Sequence, residues 1–417
     1  MNRQSFNVKN LKEIENSRSR KSRSLRLKPR IKTIEDIADS ITSKSFTLNS
    51  FSSYAENGKK IFTTSSVDDE IVLSKLNYNI KHIYNIRQSD RHTIIKQVIS
   101  LLKEECPKYI YKFDIKDFYE SIDLSLCCRA VLEDNLLSFD SIFILKEYIQ
   151  KVESANVIGI PRGIGLSSTL SELAMRPFDN IINKNPTIYY YTRFVDDILI
   201  FSTERIDIKK NIIKNLPIGL QLNWKKNKIL SILPCKCHEQ CSCVVNKCCC
   251  WDKCKCKNTD SKNHSFDFLG YQFQFPNLSL KNSSKQLKVD ISLKKMNKLK
   301  NRIYLSFDDY HQKGNFKLLE SRIKFLTGNH YISNGKHHTD RMKSGSYYNY
   351  IHLTDLEKYQ RLDAFLLKIL YKKISTSIVL NRTHREILSK YSFVAGFKNK
   401  YTHKFNGNQI NKIKGCW

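Results

Sequence analysis

The chain has 417 residues, room for two or three domains with a sizeable core, and its 71 Lys and Arg against 40 Asp and Glu leave a formal net charge of +31. Charge so one-sided speaks of a polyanionic partner, nucleic acid foremost. No apolar run approaches the ~20 residues of a membrane span, the basic N-terminus lacks the apolar segment of a secretory signal, and most of the cysteines crowd one short stretch, so neither a membrane partner nor a disulfide framework is expected and the setting reads as a reducing cytoplasm.

Residues 1–35 read as a basic tail. Arg18, Arg20, Lys21, Arg23, Arg26, Lys28, Arg30 and Lys32 crowd a segment poor in aromatics, suited to ordering on a phosphate backbone. Residues 36–105 read as mixed helix and loop. Within them Thr93–Leu102 carries Ile94, Val98, Leu101 and Leu102 at helical spacing, with Ser89 or Asp90 as a cap. Arg87 and Arg91 lie just before that helix, free to meet phosphate or solvent.

Tyr109–Asp123 opens as a strand with Tyr109, Tyr111, Phe113 and Ile115 on one face, and Asp114 on the other near the strand's end. An acid inside so apolar a strand needs a reason, because burying an unpaired carboxylate is costly. Metal coordination is one reason and a lysine ion pair is another. At 159–179 a Gly/Pro-rich loop leads into a helix, capped by a Thr169/Glu172 box or by Ser167. Gly163 and Gly165 would let another molecule approach the backbone.

Tyr189–Phe194 and Ile198–Phe201 read as two strands of a hairpin that presents Asp196 and Asp197 at its tip. Aspartates are common in turns, so the hairpin gains meaning only beside Asp114. Residues 216–230 are a loop or short strand carrying Lys225, Lys226 and Lys228. Residues 266–275 alternate as strands with a bend at Gly270. From 285 to 375 the chain reads as helical and basic. The last forty residues mix aromatics with Lys, Arg and His, a composition suited equally to base stacking and to a core.

Between 234 and 258 an internal repeat stands out. Cys235-x-Cys237-x3-Cys241-x-Cys243 recurs as Cys248-x-Cys250-x3-Cys254-x-Cys256. Eight thiolates in two matched quartets suit two tetrahedral Zn²⁺ sites or one cluster, with Cys249, His238 and His264 as further ligands. The stretch is too polar to hold a fold without metal.

A strand ending in Asp114, a glycine loop with its helix, a hairpin bearing Asp196 and Asp197, a lysine loop and a Phe-Leu-Gly-Tyr strand pair follow one another from about residue 85 to 280. In content and order this series resembles the reverse transcriptase family. The Phe-Val-Asp-Asp tetrad departs from the family's commoner Tyr-x-Asp-Asp without touching the acids. The Cys-rich insertion is not among the motifs shared.

The resemblance implies an α+β right-hand polymerase: fingers at 36–108, an antiparallel palm with helices at 109–280 interrupted by the insertion, a helical thumb at 281–375 and a basic aromatic segment at 376–417. It implies RNA-directed DNA polymerase activity. Asp114, Asp196, Asp197 and the Ile115 carbonyl would hold two Mg²⁺ ions, and Lys226, with Lys225 and Lys228 as rivals, would protonate pyrophosphate. Tyr119 would exclude a ribose 2′-hydroxyl, Arg162 and Gly163 would touch nucleotide and template, Arg91 would reach the triphosphate, and Phe268–Tyr271 would grip the primer. Partners would be an RNA template, a DNA or RNA primer and deoxynucleoside triphosphates. The compact palm looks like bacterial branches, and the C-terminal Tyr391–Phe397 stretch like the antiphage-defence branch, with a non-coding RNA and partner proteins. An RNA-synthesising or template-independent palm polymerase, and an idle nucleic-acid scaffold, are the rival readings.

Overall fold

The computed structural model describes residues 3–19, 29–56, 58–104, 106–232, 264–275, 286–331, 342–371 and 380–417. The chain divides into two compact units, Met1–Asp90 with Pro107–Ile232, and Arg91–Cys106 with Leu233–Trp417. The Cys-rich insertion and most of the basic N-terminal run lie outside the described residues. None of the described helices is long and apolar enough to cross a membrane.

The chain begins with α1 (Val8–Ser19), α2 (Ile34–Thr42), the hairpin β1 (Ser52–Glu56) and β2 (Lys59–Thr63), and α3 (Val67–Ile83). After α4 (Arg91–Lys103), which belongs to the second unit, come β3 (Lys108–Asp114), α5 (Phe118–Ser121), α6 (Leu124–Glu133), α7 (Phe139–Ser154) and α8 (Gly165–Asn183). The first unit ends with β4 (Ile188–Phe194), β5 (Asp197–Ser202), α9 (Ile208–Asn211) and β6 (Lys228–Ile232).

Four strands form the sheet that carries the acids, in the order β4-β5-β3-β6, all neighbours antiparallel. β3 is central, and this explains its sequence. Ile110, Tyr111, Phe113 and Asp114 are all buried, so both faces are covered rather than one. Helix α3 is set by Ser66, which caps Asp69 N–H, and by three acids in its first turn, where the helix dipole favours them.

The N-terminal stretch differs from the expected tail. Phe6 and Leu11 of the α1 region are buried in the first unit's core. Lys75 Nζ donates to the Arg3 carbonyl at 2.5 Å and Asn79 Nδ2 to the Gln4 carbonyl at 2.8 Å. Helix α8 starts at Gly165, earlier than the predicted caps. Thr169 and Glu172 therefore lie inside it, and no side chain caps it.

The second unit adds the antiparallel sheet β7 (His264–Phe268), β8 (Tyr271–Phe275) and β9 (Lys288–Ile291). Helices α10 (Leu293–Lys313) and α11 (Phe316–Thr327), strands β10 (Asn329–Tyr331) and β11 (Lys343–Gly345), and α12 (Glu357–Leu370) follow. The chain closes through α13 (Arg382–Leu388), α14 (Phe393–Lys398), β12 (Thr402–His403) and α15 (Gly407–Lys414). Gly270 is more than a bend. Leu269 and Gly270 both take positive φ, 47° and 82°, and reverse the chain between β7 and β8. That strand pair, expected in the palm, falls in the second unit. Part of the C-terminal aromatic stretch is core, since Phe393 is fully buried beside Leu388.

Candidate active site

Three strands deliver the acids. The ladder between β3 and β5 places Asp114 directly opposite Asp197. Ile115 N–H donates to the Asp196 carbonyl at 3.1 Å, tying the end of β3 to the β4–β5 turn. Asp114, Asp196 and Asp197 are thereby gathered at one end of the sheet. The turn is tight: Phe194 pairs with Asp197, leaving Val195 and Asp196 between them. Val195 has φ 60°, a conformation that a two-residue hairpin usually gives to glycine and that costs a β-branched residue about 1–3 kcal/mol.

Asp114 is 6% exposed and well partnered. Its Oδ1 accepts from Asn223 Nδ2 at 3.0 Å, and Lys226 Nζ donates to both its oxygens at 2.9 and 3.0 Å. The lysine loop is pinned there, with Asn223 N–H on the Asp114 carbonyl and Asp114 N–H on Asn227 Oδ1. Of the three lysines in that loop, Lys226 is the one whose ion pair reaches Asp114. That pair raises its pKa and keeps it charged.

Asp197 has less support. Lys112 Nζ stands 3.8 Å away. Burial pushes the Asp197 carboxyl up to about 6, and repulsion from Asp196 and Asp114 adds to it against Lys112. Asp196 is raised as well, by burial first and then by Asp114. Carboxylates that share so little positive charge have the hard oxygen donors that Mg²⁺ prefers. Among the described residues, however, no three His, Cys, Asp or Glu side chains already stand in a metal-holding cluster. The donor chemistry fits a divalent ion; the position of Lys226 on Asp114 means that the lysine must give way for one.

Beside the acids, Tyr119 packs edge-on against Phe118, with ring centroids 5.4 Å apart. The Arg162 guanidinium lies 4.8 Å above its ring and forks onto Glu120, with both bonds at 3.2 Å. Burial raises the Tyr119 pKa, and Asp196 is among the charges acting on its hydroxyl. Gly163 has φ 105°, and a Cβ there would stand 2.5 Å from the Phe62 carbonyl. It packs closely against β2, where Phe62 N–H also donates to the Arg162 carbonyl.

A cleft of about 380 Å³ opens here, lined by Lys59, Lys60, Phe62, Asp117, Glu120 and Arg162 among others. Lys59 and Lys60 were not singled out from the sequence. The Asn57-Gly58 pair ahead of them is a hairpin signal that could have placed them. Lys112, two residues before Asp114 on the same strand, was legible from the alternation of faces alone.

Arg91 is fully engaged within the second unit. Its Nε and Nη2 donate to the Leu269 carbonyl at 3.0 and 2.8 Å and its Nη1 to the Asn349 carbonyl at 2.7 Å. Its guanidinium sits 4.9 and 5.3 Å from the Tyr271 and Tyr350 rings. It supports the β7–β8 turn within the second unit.

The family model described as reverse transcriptase (RNA-dependent DNA polymerase) matches residues 58–273. No curated protein matches the chain. Among solved structures, apo telomerase from Candida tropicalis truncated from its C-terminal domain aligns at 13% identity and TM-score 0.37, over 59% of this chain and 55% of that one. Telomerase from Candida albicans in complex with a TWJ fragment of telomeric RNA aligns at 12% identity and TM-score 0.37, over 90% of this chain and 64% of that one. This chain thus spans less than two thirds of either telomerase. The family match covers more than half of the sequence, from the basic hairpin through the three acids into β8, and the chain belongs to the reverse transcriptase family.

Proposed function

We propose that this protein is an RNA-directed DNA polymerase that adds deoxynucleotides to a primer 3′-hydroxyl. The observation that carries the reading is the convergence of Asp114, Asp196 and Asp197 at one sheet end, with the two hairpin acids driven above their ordinary pKa. Asp114, Asp196, Asp197 and the Ile115 carbonyl would hold two Mg²⁺ ions. When bound, such a pair polarises the attacking hydroxyl and steadies charge on the leaving group.

The chain's own residues do the rest. Lys226, kept protonated by Asp114, turns from that carboxylate to the leaving pyrophosphate and donates its proton there. Lys59, Lys60 and Arg162 line the cleft with cationic donors for a triphosphate. Tyr119, held by Phe118 and Arg162, fills the space where a 2′-hydroxyl would sit and sets a preference for deoxynucleotides. The β7–β8 turn, supported by Arg91, grips the primer backbone. The cysteine quartets would hold Zn²⁺; a chelator that removes zinc without altering template affinity would separate that part from nucleic-acid binding.

The deciding measurement is primer extension by purified protein on an RNA template, beside an Asp196→Ala/Asp197→Ala double variant. The wild type is expected to extend with dNTPs and the double variant to be silent; equal extension sinks the proposal. Extension without template, or with NTPs in preference, would move the reading to the rival polymerase classes. Tyr119→Ala should admit NTPs. The C-terminal resemblance sets the biological proposal, restriction of phage growth on a non-coding RNA template with protein partners. A plaque assay in which the double variant protects as well as the wild type would end it.

A further inference from the structure

We propose that Arg193 is a positioning residue that clamps the strained Val195–Asp196 turn onto helix α8 and so fixes where the paired aspartates point. This rests on the polymerase reading of those acids.

Arg193 lies on β4, and its side chain is only 4% exposed. Two carboxylates of α8, Glu172 and Asp179, face it from positions two helical turns apart. Arg193 Nε and Nη2 donate to the two Asp179 oxygens at 2.9 and 2.7 Å. Its Nη1 and Nη2 donate to the two Glu172 oxygens at 3.2 and 2.7 Å. The fifth bond runs from Nη1 to the Val195 carbonyl at 3.1 Å. A guanidinium has five N–H donors, so the set is complete.

Four of those bonds could belong to any buried ionic brace. The fifth distinguishes this one. It ends on the carbonyl of the residue held at φ 60°, immediately before Asp196. A β-branched residue in that region relaxes unless something holds it. Glycine would take the same turn without restraint, so valine there demands a clamp. The network is also closed off from other uses, since the Tyr191 hydroxyl donates to Asp179 alongside the arginine. A lysine would keep the charge but lose the planar fork, and could not serve both carboxylates and the carbonyl together.

The test is a double-mutant cycle of Arg193→Lys and Val195→Gly, with two readouts. The first is primer extension at varied Mg²⁺ and dNTP. The second is Mn²⁺ binding, read from the free ion's paramagnetic resonance signal, which needs no turnover and reports on the clamp even where extension itself fails. Arg193→Lys is expected to weaken Mn²⁺ binding and lower kcat by roughly 10–100-fold, with KM for dNTP little changed, as for residues that orient metal ligands. In the Val195→Gly background the same change should cost several-fold less, because the turn then holds its shape unaided.

Equal losses in both backgrounds would overturn the proposal. So would a lowered melting temperature with Mn²⁺ affinity and kcat unmoved, the mark of a purely structural brace. Glu172→Gln, a milder loosening of the fork from α8, should shift both readouts the same way and serves where Arg193→Lys does not fold.

Discussion

Two regions of this molecule bury carboxylates, and they do so in opposite ways. In the second unit, Asp309 is 8% exposed beneath Arg322 and Lys313, which donate at 2.6 and 2.5 Å. Burial works against its charge, but those two hydrogen bonds win, and the Asp309 carboxyl is held below its usual range. Arg322 is itself satisfied, with further bonds to the carbonyls of Ile413 and Lys412. In the first unit the balance tips the other way. Asp197 is pushed up to about 6 by burial, with Asp196 and Asp114 adding repulsion and Lys112 only partly offsetting it. Asp309, held by the buried Arg322, which is itself fixed by two backbone carbonyls, has little left for a further cation. A carboxylate left short of positive charge is poised to bind one, which is why such shifts gather at functional sites.

Removing the acid at each place separates the two cases. The largest expected effect is on turnover. Asp114→Asn should lower the extension rate on the order of a thousandfold, the scale of losing a principal electrostatic contact in a transition state, while the folded fraction is retained. Next in size is a stability effect. Asp309→Ala leaves Arg322 buried without its partner and should destabilise the second unit by about 3–5 kcal/mol. Extension per folded molecule should stay within a few-fold. Denaturant melts beside single-turnover assays check both; an unfolded Asp114→Asn or a well-folded but inactive Asp309→Ala would reverse the contrast.

The acids themselves were legible in the sequence. Asp114 interrupts an apolar strand, and Asp196 and Asp197 sit between two β-prone runs. Their register was not, because setting Asp114 opposite Asp197 is a pairing between distant segments that no local pattern encodes. The order of the strands, β4-β5-β3-β6, was not legible either, for the same reason. Gly163 was legible as a glycine that something must approach, but the approaching group is the Phe62 carbonyl of its own chain. Arg91 shows the same limit from the other side. An arginine at a helix start carries no sign in the sequence that its guanidinium stacks on Tyr271 and Tyr350. The N-terminal helix was hidden by charge: the lysines and arginines of 18–32 dominated the reading, while Phe6 and Leu11 carried the packing.

The smallest effect sharpens the contrast furthest, because its sign differs between the two regions. In metal-free protein the folded state holds a proton on Asp197 up to about pH 6, whereas the unfolded aspartate releases it near 3.8. Between those values the folded state binds more protons than the unfolded one, so this group's contribution to stability is present below the unfolded pKa and is lost as pH rises through 6. At neutral pH the residual penalty is of order 1–3 kcal/mol, reduced by the partial exposure of the side chain. Asp197→Asn removes it, and the metal-free variant should melt a few degrees above wild type at neutral pH, with the gain vanishing below about pH 4. Adding Mg²⁺ should close the gap from the wild-type side, because only the acid gains from the ion. If instead the amide lowers the melting temperature of metal-free protein at neutral pH, Asp197 is a structural carboxylate of the Asp309 kind, and the distinction between the two regions is lost.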